Sequence, residues 1–181
     1  MDERFDPRKQ FRENSFGSIS GRITELVPFG MRSEGMDTCM LMASVESKQQ
    51  GIINFIITPN TYIVDFTELK AGMECTFWYR LDAPAPLIYP SQYHAVVAAE
   101  NKDDRRVEVS HFNGMLINEA GNLQLNLDKR VLVRTINNQV YPGSPANHEL
   151  VVVYDMTTRS IPAQTTPLKV VVLCGNDRQQ S

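Results

Sequence analysis

No stretch of this sequence sustains an amphipathic helical period long enough to carry a crossover between parallel strands, and that limits the possible folds more than any other feature. In place of helices the chain offers short β-forming runs broken by glycine, proline and polar turn residues, the pattern of a sandwich or small barrel. The run from Ile19 to Leu26 alternates apolar and polar for part of its length and breaks at Pro28, Gly30 and Gly35. Met40 to Val45 and Ile52 to Ile57 follow, separated by the polar segment Glu46 to Gly51, and the three read as a meander. Thr61 to Val64 is a β-branched start leading into about one turn of helix closed by Gly72. Cys75 to Tyr79 is strongly β-forming, and after a long proline-rich loop Ala95 to Ala98 supplies a fifth strand.

The second half restates this plan. Laying Phe77-Trp78-Tyr79 on Val152-Val153-Tyr154 carries Ala95-Val96-Val97 onto Val170-Val171-Val172 without a gap, so strand, loop and strand keep step. Leu123 to Leu127 and Val131 to Arg134 supply its middle strands, turned at Asp128-Lys129, while Asn137 to Pro145 replaces the helical piece with loop chemistry. Internal self-similarity of this kind points to packed copies of one supersecondary unit. The expected division is an arm at 1–17, a first unit at 18–99, a linker at 100–106, a second, shortened unit at 107–175 and a tail at 176–181.

The first half resembles the OB-type barrel, five strands with a helix between the third and fourth. The residues that carry the resemblance are Gly21 to Leu26, Asn54 to Ile57, Thr61 to Asp65 and Leu69 to Met73. It is also similar to small domains of unassigned role in Gram-positive, often spore-forming, bacteria, which carry a Tyr-Pro-x-Gln-Tyr-x-Ala-like segment such as Tyr89 to Ala95. The resemblance implies an all-β fold with a minor helix, made of two diverged OB-like five-stranded barrels or sheets packed together. It implies a bacterial, spore-associated setting and no particular activity.

A net charge of −3 gives no general attraction to phosphate backbones or anionic lipid. No apolar run reaches about 18 residues, and Met1 leads straight into Asp2-Glu3-Arg4, so a cytoplasmic chain without signal peptide or membrane span is expected. Cys39, Cys75 and Cys174, odd in number and set in apolar runs, are expected to be reduced core cysteines. His94, His111 and His148 are isolated, and no metal-ligand spacing, nucleophile elbow or phosphate loop occurs, so neither catalysis nor a cofactor is expected.

The two matched loops, Arg80 to Tyr93 and Asp155 to Pro167, are longer than structureless connections usually are unless they bind or cover something. In the first, Tyr89 and Tyr93 offer packing surfaces and Gln92 a hydrogen-bonding group. The second offers Arg159 and Gln164 among hydroxyls, suited to a polar or anionic partner. The competing reading tucks Leu87, Ile88 and Ile161 underneath, to plug the barrels or to join the halves. The arm carries Phe5, Phe11 and Phe16, which could clamp a partner. The expectation is a non-catalytic protein that binds a protein partner or forms a homo-oligomer. The alternative is single-stranded nucleic acid on an aromatic face of Tyr62, Phe77, Trp78 and Tyr79, disfavoured because the basic residues are scattered.

Overall fold

The computed structural model describes residues 14–30 and 37–175, so Phe5, Phe11 and the tail 176–181 lie outside it. Its strands are β1 (Phe16–Phe29), β2 (Met40–Ser47), β3 (Gly51–Ile57), β4 (Tyr62–Ile63), β5 (Glu74–Arg80), β6 (Ser91–His94), β7 (Val97–Glu100), β8 (Arg106–Phe112), β9 (Leu123–Leu125), β10 (Leu132–Thr135), β11 (His148–Tyr154), β12 (Ala163–Thr165) and β13 (Lys169–Leu173). The protein is all-β. The helix expected after Thr61 is a single 3-10 turn, Val64–Phe66, interrupted by Asp65 in the left-handed region at φ 59°. No helix among the described residues is long and apolar enough to cross a membrane.

Three sheets result, in the orders β4-β7-β5-β1-β2-β3-β6, β10-β13-β11-β8 and β12-β9. The last strand of the first order, β6, is close in the chain to β7 near its other end. Only Ala95 and Val96 separate β6 from β7, and their N–H groups donate to the carbonyls of Ile56 (2.9 Å) and Trp78 (2.8 Å). The chain thus crosses from the edge of β3 to the edge of β5 without leaving hydrogen-bonding range.

The same pairings occur in both halves. β3 is parallel to β6 as β9 is to β12, and β4 is parallel to β7 as β10 is to β13. β5 lies antiparallel to both β1 and β7, as β11 does to β8 and β13. In the second half β2 is reduced to two isolated antiparallel bridges, Phe112 to Asn118 and Ile117 to Gln124. Its place is taken by a turn built on Asn118, whose Oδ1 accepts the N–H groups of Asn122 (3.0 Å) and Leu123 (3.1 Å).

Several expected boundaries shift. The first strand starts at Phe16 rather than Ser18, which takes the end of the supposed arm into the sheet. The gapless alignment also fails in register: Trp78 pairs with Val97, but Val153 pairs with Lys169, three residues before the Val172 that the alignment requires. Nor do the middle strands of the second half form a hairpin, since β9 pairs with β12 and β10 with β13. Strand propensity locates such runs, but pairing is decided by which faces must be buried.

Period-2 alternation on strands buried on both sides sorts the core into three clusters. Phe77 and Cys75 of β5, with Ile19, Ile23, Val45, Phe55 and Ala98, fill the first half. Leu150, Val152, Val170 and Val172 fill the second. The intervening residues of the same strands, Trp78, Val97, Ala99, Val151, Val153, Val171 and Leu173, form a third cluster with Phe16, Tyr62 and Val109 between the halves. The linker is pinned as well, because the Arg105 guanidinium, 8% exposed, forms an ion pair with Asp65.

Tyr62 brings a hydroxyl into this shared core that meets no hydrogen-bond partner among the described residues. Burial, with Asp65 nearby, pushes its ionisation up to about 12. An unpaired buried hydroxyl costs stability. Tyr62→Phe is therefore expected to raise the free energy of unfolding by about 1 kcal/mol in urea titration. A fall in stability would mean that the hydroxyl is satisfied.

Candidate functional site

The loop from Leu81 to Pro90 is held at both ends. At its start Arg80, the last residue of β5, donates two hydrogen bonds to the Glu149 carboxylate, Nη1 to Oε1 at 2.9 Å and Nη2 to Oε2 at 2.7 Å. The same guanidinium lies over the Phe16 ring, 5.0 Å from its centroid. Bidentate, half-buried pairs of this kind fix orientation better than exposed ones. At the loop's end Tyr93 stacks on Tyr79, with centroids 4.2 Å apart and planes 20° from parallel, continuing inward to Phe55. Burial beside Tyr93 raises the Tyr79 ionisation.

Between these anchors the loop presents apolar side chains outward. Leu87 is 104% exposed, Tyr89 89%, Ile88 52% and Leu81 51%. Leu87 and Ile88 therefore do not plug the sheet, as the competing sequence reading had it. The loop contains a cis Tyr89–Pro90 bond, and a cavity of about 190 Å³ opens beneath it, lined by Tyr79, Arg80, Pro84, Pro86, Gln92 and Tyr93. Gln92 and Tyr93 thus meet at one place, while Tyr89 stands apart and stacks on no other ring among the described residues.

The second loop is stitched to itself by polar groups. The Thr158 N–H donates to the Gln164 carbonyl at 2.9 Å, the Gln164 N–H returns to Thr158 Oγ1 at 2.9 Å, and Ser160 Oγ donates to the Pro162 carbonyl at 2.8 Å. Arg159 is left exposed at the tip, between Met156 (76% exposed) and Ile161 (96%). The Gln164 side chain is engaged in accepting from Asn126 Nδ2 at 3.2 Å. The two loops do not converge. Arg80 at the end of β5 meets Glu149 at the start of β11, whereas Tyr154 at the end of β11 lines the same cleft as Thr76 and Glu100. β5 and β11 thus run in opposite directions across the shared core, and their following loops leave from opposite ends.

Phe16, expected on a partner-binding arm, is 8% exposed in the shared core. Ser15 beside it donates through N–H and Oγ to the Glu119 carboxylate, both at 2.7 Å, tying the start of β1 to the second half. Of the aromatic residues assigned to a nucleic-acid face, Tyr62, Phe77 and Trp78 are at most 8% exposed and Tyr79 is stacked on Tyr93. Strand alternation hid this, since both faces of β5 are covered. Cys75 is buried as expected, but Cys39 and Cys174 are exposed.

No local motif announces the cleft of about 730 Å³ between the halves, where Arg80, Asp82, His111, His148, Glu149 and Cys174 gather. Its cation is already neutralised by Glu149, and His148 is occupied by the Ala146 carbonyl (Nδ1, 2.8 Å) and Tyr141 Oη (Nε2, 3.2 Å). No group of three or more metal-ligating side chains occurs among the described residues. No family model, curated protein or solved structure matches this chain.

Proposed function

We propose that this chain is a non-catalytic binding or self-assembly protein whose principal contact element is the loop Leu81 to Pro90. The observation that carries this reading is the outward display of Leu87, Ile88 and Tyr89 on a loop anchored by the Arg80–Glu149 pair and the Tyr79–Tyr93 stack. Contiguous exposed apolar groups mark interaction surfaces in soluble proteins. Repeated prolines and fixed ends reduce the entropy lost on docking. The partner is a protein offering an apolar surface, either another polypeptide or another copy, and Arg159 at the far end provides a separate polar contact.

Our finer reading of the fold belongs with this proposal. Pairings run β1-β2-β3-β6, the chain itself passes through Ala95 and Val96 into β7, and pairings return from β7 through β5 to β1, which supports a closed barrel of the OB type for the first half. In such a barrel the loop between the last two strands flanks the usual ligand face.

Leu87→Asp tests the contact element. Burying a leucine at an interface contributes about 1.5–3 kcal/mol, so the substitution is expected to weaken self-association by at least about tenfold in sedimentation velocity. An association constant unchanged by Leu87→Asp would retire the loop as the assembly element.

A further inference from the structure

The chain enters β1 at a fixed point. Ser15 accepts the Leu81 N–H on its carbonyl at 3.1 Å and donates its own N–H and Oγ to the Glu119 carboxylate, both at 2.7 Å. Residues 1–13 therefore join the described fold beside the first residue of the Leu81 to Pro90 loop. Two residues beyond Ser15, Gly17 lies against the aromatic column: a Cβ there would meet Tyr79 Cζ at 2.6 Å and Leu81 Cδ2 at 3.0 Å. Tyr79 is in turn a wall of the cavity of about 190 Å³ beneath the loop. A single ring thus separates the start of β1 from that cavity.

Tyr79, Tyr93, Pro84, Pro86, Ala83 and Val96 make most of the cavity wall apolar. Sites for small molecules usually reach roughly 300–1,000 Å³, so this one is scaled to a single side chain. Residues 1–13 contain three large apolar side chains, Met1, Phe5 and Phe11, and Phe11 is the nearest to the root. It is four residues from Ser15, a reach of about 13 Å in extended chain. Closing so short a loop costs little entropy. The tether holds the Phe11 ring near the cavity at an effective concentration on the order of millimolar, above that of a free partner at working protein concentrations. Charge favours the same contact. Arg8, Lys9 and Arg12 flank Phe11 against one nearby acid, Glu13, while Asp82 is the one charged residue of the loop.

We infer that residues 1–13 fold back on the Leu81 to Pro90 loop of their own chain and seat the Phe11 ring in the cavity beneath it, against the Tyr79–Tyr93 stack. The docking itself needs no partner, whereas its consequence rests on the loop being the contact element proposed above. A partner that engages the loop meets it with the segment in place. Its apparent affinity falls with the fraction of chains in which Phe11 is seated.

The test is nuclear magnetic resonance of the full chain, with reductant present because Cys39 and Cys174 are exposed. Nuclear Overhauser contacts are expected between the Phe11 ring and the side chains of Tyr79, Tyr93, Pro84 and Pro86. They are expected at every concentration and not between copies in a mixture of isotopically labelled and unlabelled chain. Phe11→Ser precedes β1 and leaves the buried clusters intact. It is expected to abolish these contacts and to shift the resonances of Tyr79, Tyr93 and the loop while those of β8, β11 and β13 stay in place. A Phe11 ring without contact to the cavity walls overturns the inference. So do loop resonances that Phe11→Ser does not move, or contacts found only between labelled and unlabelled copies, which would make a second chain the occupant. The association measured with Leu87→Asp reads the loop separately. If Leu87→Asp leaves association unchanged while the Phe11 contacts are present, the partner reading is removed and the fold-back stands. If Leu87→Asp weakens association while those contacts are absent, the reverse holds.

Discussion

Val151→Asp is expected to unfold both halves of the protein together. Val151 is fully buried in the cluster shared by the two halves, with Val109, Val153, Val171, Trp78 and Val97 among its members. An unpaired carboxylate there costs several kcal/mol, against a total stability of about 5–15 kcal/mol for a domain of ordinary size. The loss extends beyond the second half because Phe16, Tyr62, Trp78, Val97 and Ala99 of the first half bury their outer faces against it. The protein has one tryptophan, and it sits in this cluster. Trp78 fluorescence and far-ultraviolet circular dichroism are therefore expected to lose their native signals in a single, coincident transition at much lower urea than in the parent chain. A variant that loses the native Trp78 signal while part of the β-sheet signal persists to higher urea would mean that the first half stands alone.

Phe77→Ala is expected to cost about 3–5 kcal/mol. Phe77 is fully buried, and its ring stacks on Phe55 with centroids 4.6 Å apart and planes 9° from parallel. Phe55 in turn lies against Tyr79 and Tyr93, so the cavity left by truncation opens beneath the base of the Leu81 to Pro90 loop. Leu87→Ala provides the comparison, since Leu87 is fully exposed and its truncation is expected to change stability by less than about 0.5 kcal/mol. Urea midpoints of the two variants measure the difference. A loss below about 1 kcal/mol for Phe77→Ala would show that the aromatic column repacks and does not hold the loop's foundation.

These two residues also show what could be read in advance. Phe77 and Trp78 are adjacent in a run that any strand propensity identifies, and strand alternation requires them to face opposite ways. Nothing in the sequence says that both faces are covered. One side is packed by the protein's own first half, the other by β8, β11 and β13 of the second, which lie across the shared core. A face reserved for an aromatic ligand surface was therefore spent on internal packing. Phe16 was misplaced for a related reason. It follows a polar segment and looks like part of an arm, but the ladder with β5 reaches it and Arg80 closes over its ring.

The all-β class, most strand positions and the long proline-rich loops followed from local pattern, because alternation, turn residues and the lack of a helical period act within a few residues of one another. The likeness of the two halves was legible in the same way, through Phe77-Trp78-Tyr79 and Val152-Val153-Tyr154. The tertiary structure decided everything that depends on distant partners. It placed β9 and β10 on different neighbours, set the second half's ladder three residues from the gapless match, and sent the two loops to opposite ends. It also left Ser18 and Ser20 at an edge of β1 where β2 does not reach. The physical reason is common to all of these. A strand's propensity is a property of its own residues, whereas its register, its buried face and its unpaired edge are settled by competition among all strands for the same hydrogen bonds and the same apolar cover.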